Sequence, residues 1–507
     1  MTIQLYFTNL LTLPLKVSAN FWLTIMNRNL FSILICFFFT IPALNAQIKL
    51  DDYLKKVEDA NPELKSLNSA IEASQKKILE LDMVYSPMLT ADVNYMDDKS
   101  GISFESPLFA NEIKSTSWDI EASKKFSTGS TISLGYKSFT ADFDLLYPFV
   151  WNGKPFSSFT GYELQPYIKL QQSLLRDLNS GITVSGINKS KMAARSSEYL
   201  QLMKKQQTLL LAKYAYWTLS LAREVVAFRK ASMDRTEKLL HWNEKKYKVD
   251  LAEKVDLLQA QAAYKTRVLN YQLAVENEIK ASRDFNGMLG LKSDKVTDEI
   301  DKVSNKSSYY QPISSLEKTG ERADVLSAQA LYESAKYAQT ETDYRSRPEL
   351  TFQGSYALNG LDIFYNNAWD QVTNSDKPTY TLGLSFTVPL DYSTLNKVKK
   401  GYKLDFVSAN EALNQAQISA ANDWQQLIKN WNDVKTRLSL ANEIQSIQEQ
   451  RLKEEAARFE RGKTTTFLLI TAENDLDDII LEVYQLVYEE LTTAAQAELY
   501  NTQPFKN

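Results

Sequence analysis

The chain has one cysteine and one histidine in 507 residues. Cys36 lies in an apolar segment near the start, so the remaining chain cannot form a disulfide within itself. His241 has no cysteine to pair with as a nucleophile. No cluster of residues has the spacing of metal ligands, and no glycine-rich phosphate loop is present. These absences argue against an enzyme, and they predict no catalytic residue, no metal site and no cofactor.

Long hydrophobic runs and a strong charge imbalance are also missing. Beyond residue 46 no apolar run reaches about 18 residues, the shortest length typical of a membrane-spanning helix. A membrane could therefore be entered only by a closed β-barrel. The net charge of -4 and the pI near 5.5 give no basic surface for nucleic acid. An apolar content of 44% and a charged content of 24% are ordinary for a folded protein.

The N-terminus has the three parts of a secretory signal peptide. Residues 26–29 carry a cation, residues 30–41 are apolar, and Ala46 is a small residue suited to the cleavage point. We therefore predict a signal peptide over 26–46 and interpret 1–25 as an over-extended start. The alternative, a membrane anchor, is disfavoured because the apolar run is shorter than the roughly 20 residues that a span needs.

Proline is absent between Val398 and Thr502, and Gly401 and Gly462 are the only glycines in between. On the first arm of this stretch, apolar residues alternate at spacings of 3 and 4, as in a coiled-coil seam: Trp424, Leu427, Trp431, Val434, Leu438 and Ala441. The second arm keeps a similar stripe: Leu476, Ile480, Val483, Val487, Leu491 and Ala494. The pattern predicts a helical hairpin over 397–501. An arm of about 60 residues would be roughly 90 Å long, too long for a compact domain.

The remainder of the chain repeats this plan. The first repeat, 47–291, is predicted to contain a helix over 50–85, strands within 88–172 and a helical hairpin over 188–289. A linker over 292–319 leads to the second repeat, 320–501, with a helix over 320–345, strands over 349–358 and 379–389, and the hairpin over 397–501. Pro62 precedes Ala323 by 261 positions, whereas Tyr247 precedes Phe459 by 212. The 49-residue difference arises in the strand region of the first copy. Such an internal duplication is a specific signal.

The strand segments alternate apolar and polar residues between polar loops, which is typical of outer-membrane strands. Each copy supplies at least two strands, so the chain has at least four. A further hairpin around Thr128-Gly129 would raise the count to six, or it would form a periplasmic flap. Because about eight strands make the smallest closed barrel, four require several chains to share one. Six aromatic residues are candidates for interfacial belts: Tyr95, Trp118, Tyr136, Tyr162, Tyr356 and Tyr380.

Several short motifs, in this order and in two copies, resemble the TolC family of outer-membrane efflux factors. They are Asn61-Pro62-Glu63-Leu64, Ser86-Pro87-Met88-Leu89, Arg347-Pro348-Glu349-Leu350, Leu384–Leu390 and the two hairpin tips. The resemblance covers nearly all of Ile48 to Tyr500. It implies an α+β membrane protein in which long helical hairpins form a periplasmic α-barrel. The strands would contribute to the β-barrel of a homotrimer, with 12 strands in contact with outer-membrane lipid.

The resemblance also implies a function. The chain would be a passive conduit of a tripartite efflux or type I secretion system, receiving substrate from a periplasmic adaptor (membrane fusion) protein and an inner-membrane pump. Its substrate class stays open among drugs, metals, toxins and proteins. The alternative is a periplasmic coiled-coil adaptor or scaffold without a membrane barrel.

Two groups of site residues follow from the resemblance. The hairpin tips would contact the adaptor through Val249, Asp250, Leu251, Arg461, Gly462 and Lys463. Gly462 permits the positive φ of a tight turn, and the matching residue, Asp250, tolerates it less readily, so the first tip is expected to turn differently. A pore constriction or latch is expected just beyond the tips, at Asp256, Leu468 and Thr471. Because two of these are not acidic, we expect a hydrophobic constriction or a weak polar gate.

Overall fold

The computed structural model describes residues 47–99, 110–151, 153–304, 318–375 and 377–504. The predicted start segment, 1–25, and the predicted signal peptide, 26–46, lie outside these described residues. The described helices are α1 Leu50–Ala60, α2 Pro62–Ile78, α3 Gly181–Lys248, α4 Lys254–Met288, α5 Ala323–Arg345, α6 Tyr365–Thr373, α7 Tyr392–Glu460 and α8 Thr466–Ala497. Short 3-10 helices span Leu79–Tyr85, Leu178–Ser180 and Glu498–Tyr500.

The longest helices are α3, with 68 residues, and α7, with 69. Each is roughly 100 Å long at about 1.5 Å per residue. Both begin slightly earlier than predicted, at Gly181 and Tyr392. Each is followed by a returning helix, α4 or α8, so the two long hairpins are present.

The first predicted helix, 50–85, is divided in the structure at Asn61. Pro62 has no N–H to continue α1, and the Asn61 side-chain oxygen accepts hydrogen bonds from the N–H groups of Glu63 (2.8 Å) and Leu64 (3.2 Å). These are the features of a new helix start. The prediction of one continuous helix was therefore wrong.

The structure confirms the internal duplication. Helices α2 and α5 begin at Pro62 and Ala323, which are 261 positions apart, as the sequence offset requires. Helices α3 and α7 end at Lys248 and Glu460, which are 212 positions apart. The offset between the two copies changes from 261 to 212 positions within the sheet, because the first copy contains additional strand residues there.

The strands are β1 Met88–Asp98, β2 Ala110–Lys125, β3 Ser130–Trp151, β4 Lys154–Ser173, β5 Glu349–Leu358, β6 Gly360–Asp362 and β7 Pro378–Thr387. They form one antiparallel sheet in the order β1-β2-β3-β4-β5-β7, and the short β6 pairs with β4. The turn at Thr128-Gly129 joins β2 to β3 within this sheet. The hairpin whose place the sequence left undecided is therefore part of this sheet, which has six long strands among the described residues.

The sheet has two unlike faces, because residues directly opposite each other in neighbouring strands share a face. Leu134 lies opposite Ala122 and Ile168, while Ser133 lies opposite Ser123 and Lys169. The apolar face, as we name it, carries Leu89, Val93, Ile120, Leu134, Leu164, Ile168, Phe352, Leu382, Leu384 and Phe386. The polar face carries Asp92, Asn94, Asp119, Glu121, Lys137, Lys169, Gln171, Gln353 and Ser385.

The six aromatic residues predicted for a belt all fall on the apolar face. Tyr356 and Tyr380 are opposite each other, with ring centroids 4.9 Å apart. On the same face, just beyond the level of Tyr95, the next positions of β1, β2 and β3 are charged: Asp97, Lys114 and Asp142. The apolar band therefore ends at the side of the sheet distant from the long helices.

The helical core lies where α1, α3 and α4 pack against the second hairpin. Tyr53 stacks on Phe285, with centroids 4.1 Å apart, and its hydroxyl donates to the Phe285 carbonyl. Trp217 and Trp431 are both buried, and Trp217 belongs to this core. Trp424 contacts the ring of Tyr500 at 4.8 Å.

On the polar face one tyrosine reaches across a neighbouring strand. Tyr167 of β4 passes over β3 at Gly135, and its hydroxyl lies 2.9 Å from Asp119 Oδ1 and 2.8 Å from Glu121 Oε2 on β2. A Cβ atom at Gly135 would lie 2.2 Å from Tyr167 Cζ, which is too close for any real contact. Lys169 Nζ lies over the same ring, 3.9 Å from its centroid.

We predict that Gly135→Ala destabilises the sheet because the added methyl group must displace the Tyr167 ring from its two carboxylate partners. The measurement is electrophoresis of SDS-solubilised samples heated to a series of temperatures. The temperature at which the protein loses its folded mobility should fall. Gly383→Ala is the matched control, since a Cβ atom there has no neighbour within 4 Å. Equal mobility curves for the two variants would contradict the assignment.

Candidate functional site at the helical hairpin tips

The two hairpin tips turn in the same way. Asp250 and Gly462 occupy matching positions and both have left-handed backbones, with φ of +56° and +68°. In the first tip the Leu251 N–H donates to the Lys246 carbonyl, and in the second the Lys463 N–H donates to the Arg458 carbonyl, both at 2.8 Å. This six-residue closure is the Schellman motif.

The expectation that the first tip turns differently was therefore wrong. Asp250 is exposed, and aspartate is one of the few residues other than glycine that adopts the left-handed conformation at moderate cost. The hydrogen bonds of the motif come from the backbone, so they form in both tips.

The fold places the two tips side by side. Leu239, Phe459 and Leu469 form one buried cluster that joins the end of α3 to the second tip. Beside it, the Thr466 hydroxyl donates to Asn243 Oδ1 at 3.0 Å, and both residues are buried. The tips of the first and second copies therefore lie together at the same end of the long helices.

This end exposes the residues predicted to contact a partner. Leu251 is 74% exposed and Val249 is 62% exposed, and Arg461, Gly462 and Lys463 are exposed as well. Val255 and Phe467, in the first turns of α4 and α8, add apolar surface. The tips thus expose apolar side chains together with charges of both signs.

The residues predicted for a constriction follow the tips. Asp256 lies in the first turn of α4 and is half-buried, Leu468 lies exposed in the first turn of α8, and the Thr471 hydroxyl donates to the Phe467 carbonyl. Within the described part of the chain no hydrogen bond or ion pair joins Asp256 to Leu468 or Thr471. Their role as a constriction or latch stays a prediction.

A buried charged cluster behind the tips was not predicted. The side chain of Asp477 on α8 is 1% exposed, and it forms ion pairs of 3.0 Å with Arg235 on α3 and with Arg267 on α4. Ser232 donates a further hydrogen bond to Asp477, and Arg267 also donates to Asn474 Oδ1 at 2.7 Å. One carboxylate thus joins both helices of the first hairpin to the second hairpin.

The surroundings of this cluster perturb two neighbouring groups. Burial raises the pKa of Glu473 above its ordinary value near 4.5, although Arg235 and Arg267 oppose the shift. Burial and the nearby Arg267 lower the pKa of Arg229. Sequence reasoning missed the cluster because its partners come from positions some 200 residues apart, and Asp477 adjoins the apolar stripe without interrupting its spacing.

Among the described residues, no helix combines the length and apolar character needed to cross a membrane. Across the same ranges, no three His, Cys, Asp or Glu side chains are grouped so as to hold a metal ion.

Comparison with solved structures identifies similar folds. The chain is similar to the outer-membrane channel OprN, with a TM-score of 0.60 and 13% identity over 89% of this chain and 90% of that one. It is also similar to the outer-membrane protein VceC of Vibrio cholerae (TM-score 0.58, 13% identity, 89% and 94% coverage). The open state of the Neisseria gonorrhoeae MtrE outer-membrane channel gives a TM-score of 0.59 at 13% identity, with 89% and 88% coverage. No family model and no curated protein sequence matches the chain. The chain therefore has the fold of TolC-type outer-membrane channels.

We predict that Gly462→Ala destabilises the second hairpin by about 1 kcal/mol, because alanine is strained at positive φ. Asp250→Gly should stabilise the first hairpin by a smaller amount. The measurement is chemical denaturation followed by circular dichroism at 222 nm. Gly401→Ala is the control: Gly401 lies inside α7 in open space, so alanine there should be neutral or stabilising. A loss of stability at position 401 equal to that at 462 would contradict the turn assignment.

We predict that Asp477→Ala costs about 3–5 kcal/mol in the free energy of unfolding, because Arg267 would keep its charge in a buried site without a partner. The double variant Asp477→Leu/Arg267→Leu should recover much of that loss. The control is Asp475→Ala, which breaks an exposed ion pair with Arg451 and should cost at most about 1 kcal/mol. Similar losses at positions 475 and 477 would show that the buried cluster does not hold the hairpins together.

Proposed function

We propose that this protein is an outer-membrane channel of a tripartite efflux or type I secretion system. It would act as a passive conduit from a periplasmic adaptor and inner-membrane pump to the exterior. The proposal rests on one observation: a single chain combines a two-faced antiparallel sheet with two very long helical hairpins. The solved proteins of similar fold are channels.

The two faces of the sheet suit a wall between lipid and water. The apolar face, with its aromatic residues, would contact outer-membrane lipid, and the polar face would line an aqueous lumen. Leu382 on the apolar face is 77% exposed in the single chain. A soluble coiled-coil scaffold would leave this apolar face in water, which is unfavourable. We therefore favour the channel over the scaffold.

Closure of the wall would come from other copies of the chain. Among the described strands, β1 and β7 are the two edges, each hydrogen-bonded to a single neighbour. In an antiparallel sheet of six long strands, the first and last run in opposite directions, so β7 of one copy can pair antiparallel with β1 of the next. Pairing would also remove the exposed edges, which otherwise promote aggregation.

We propose a homotrimer in which three copies of six strands give a barrel of eighteen. This exceeds the 12 strands that the family resemblance implies, because the hairpin β2–β3 is added between β1 and β4. Barrels of about 16 to 18 strands enclose an open aqueous channel. The narrowest point of the conduit would then lie in the helical part, near Asp256, Leu468 and Thr471.

The helical hairpins would extend into the periplasm. The exposed tip residues Val249, Asp250, Leu251, Arg461, Gly462 and Lys463 would dock the adaptor protein. Both tips would contribute to this contact, because the cluster around Phe459 holds them next to each other.

Disulfide cross-linking between the two sheet edges tests the proposal. Val93 of β1 and, in turn, Tyr380, Leu382, Leu384 or Phe386 of β7 would be changed to cysteine in the full-length chain, where Cys36 is the only native cysteine. We expect oxidised outer-membrane fractions to give covalent dimers and trimers for one register. Proteins with a single introduced cysteine are the control.

The same preparation would be tested for conductance in planar lipid bilayers. Stable channels whose conductance changes in Asp256→Ala would support both the pore and the proposed constriction. Recovery of folded protein in the soluble periplasmic fraction, with no cross-link in any register, would overturn the channel in favour of a soluble scaffold. Cross-linked species no larger than a dimer would retain the wall and reject the trimer.

A further inference from the structure

Helix α6 is an unexpected element of the loop between β5 and β7. It spans Tyr365–Thr373, at the end of the sheet distant from the long hairpins. Ala368 and Val372 on one side of the helix are buried against Leu164 of β4. Tyr136, Tyr162 and Leu358 pack around this contact. The helix is therefore docked on the sheet.

The register of the sheet determines which face α6 covers. Tyr136 lies opposite Ile120, and Tyr162 lies two positions from Leu164 on the same strand, so all three docking residues belong to the apolar face. Gly360 lies close under the helix, where a Cβ atom would be 1.9 Å from the Ala368 carbonyl oxygen. Helix α6 thus lies against the face that would contact lipid, outside the lumen.

The exposed surface of α6 is divided into an apolar and a polar part. Tyr365 is 48% exposed, and its ring meets Tyr162 edge to face at 5.9 Å. Trp369 is 42% exposed, and its ring meets Tyr136 in the same way at 6.0 Å. On the side of the helix that faces away from the sheet, Asn366 and Asp370 are exposed. The two aromatic rings therefore continue the aromatic residues of the sheet, and the amide and carboxylate point away.

We propose that α6 is a membrane-interface anchor whose Tyr365 and Trp369 rings insert at the headgroup level of the outer leaflet. The inference rests on the proposed function, because it requires the apolar face to contact lipid. Rings that combine an apolar body with a polar N–H or O–H favour this interface.

The position of α6 favours lipid over a second copy of the chain as its contact. The helix rests on β3 and β4, in the interior of the sheet, whereas neighbouring copies would join at β1 and β7. Its depth also fits an interface. Tyr162 faces Thr140, and the next position of β3 on this face is Asp142, so Tyr365 lies where the apolar band gives way to charge.

Such an anchor would have two effects. It would fix the depth of the wall in the membrane, and it would hold the β5–β7 loop on the outer side of the wall. The loop that contains α6 would then not cover the external mouth of the lumen.

Nitroxide labelling tests the inference in full-length protein reconstituted in phosphatidylcholine vesicles. Single cysteines would be introduced by Trp369→Cys and, as the matched control one residue away, Asp370→Cys. Tyr365→Cys provides a second test position in case the Trp369 variant folds poorly. Leu382→Cys reports the apolar face and Ser385→Cys the polar face, both distant from α6. The ratio of collision rates with oxygen and with a water-soluble nickel chelate measures lipid exposure at each label.

We expect a ratio several-fold higher at 369 than at 370, and lower than at 382. A high ratio at 382 with water-like ratios at 365 and 369 would overturn the anchor and leave the membrane wall intact. Water-like ratios at both 382 and 385 would overturn the wall itself and the anchor with it.

Discussion

The register of the β-sheet is the constraint on which the rest of the structure depends. Successive side chains of a strand alternate between faces, so a slip of one residue between two strands would exchange every apolar and polar position. The register here brings Leu134 between Ala122 and Ile168, and Tyr356 beside Tyr380. Gly135 contributes to it by allowing Tyr167 to bridge from β4 to β2. The apolar band, the polar face and the docking site of α6 all follow from this one alignment.

The helical part depends on a different kind of contact. Its two hairpins are held along their lengths by apolar seams, but near the tips a buried carboxylate, Asp477, joins them. A buried ion pair contributes little net stability compared with apolar packing, yet it is costly to break. Separation of the two hairpins at this point would therefore be costly, although the ion pairs add little to their net stability. The exposed tips then project from a base of defined geometry.

Local patterns in the sequence were sufficient for much of this fold. The seam from Leu427 to Ala441, the two hairpins and the duplication were all visible as spacing, because each depends on residues that repeat along the chain. The break at Asn61, the earlier starts of α3 and α7 and the whole of α6 were not predicted. Helix α6 is short, and it is stabilised by contact with Leu164, some 200 positions earlier. The partners of Asp477 are similarly remote. The left-handed turn at Asp250 is closed by backbone hydrogen bonds, which do not depend on the side chain.

The hairpin β2–β3 changes the number of strands in the sheet but leaves the two edge strands as they are. Among the described strands it occurs only in the first copy, between strands that correspond to an adjacent pair in the second. A hairpin adds two strands at a time, so the directions of the two edge strands stay the same. The helices to which these edge strands connect also stay the same. In the proposed barrel, the circumference could therefore vary by whole hairpins without altering either the helical hairpins or the pairing of neighbouring copies. The width of such a barrel would then be independent of the helical hairpin tips at the opposite end of the protein.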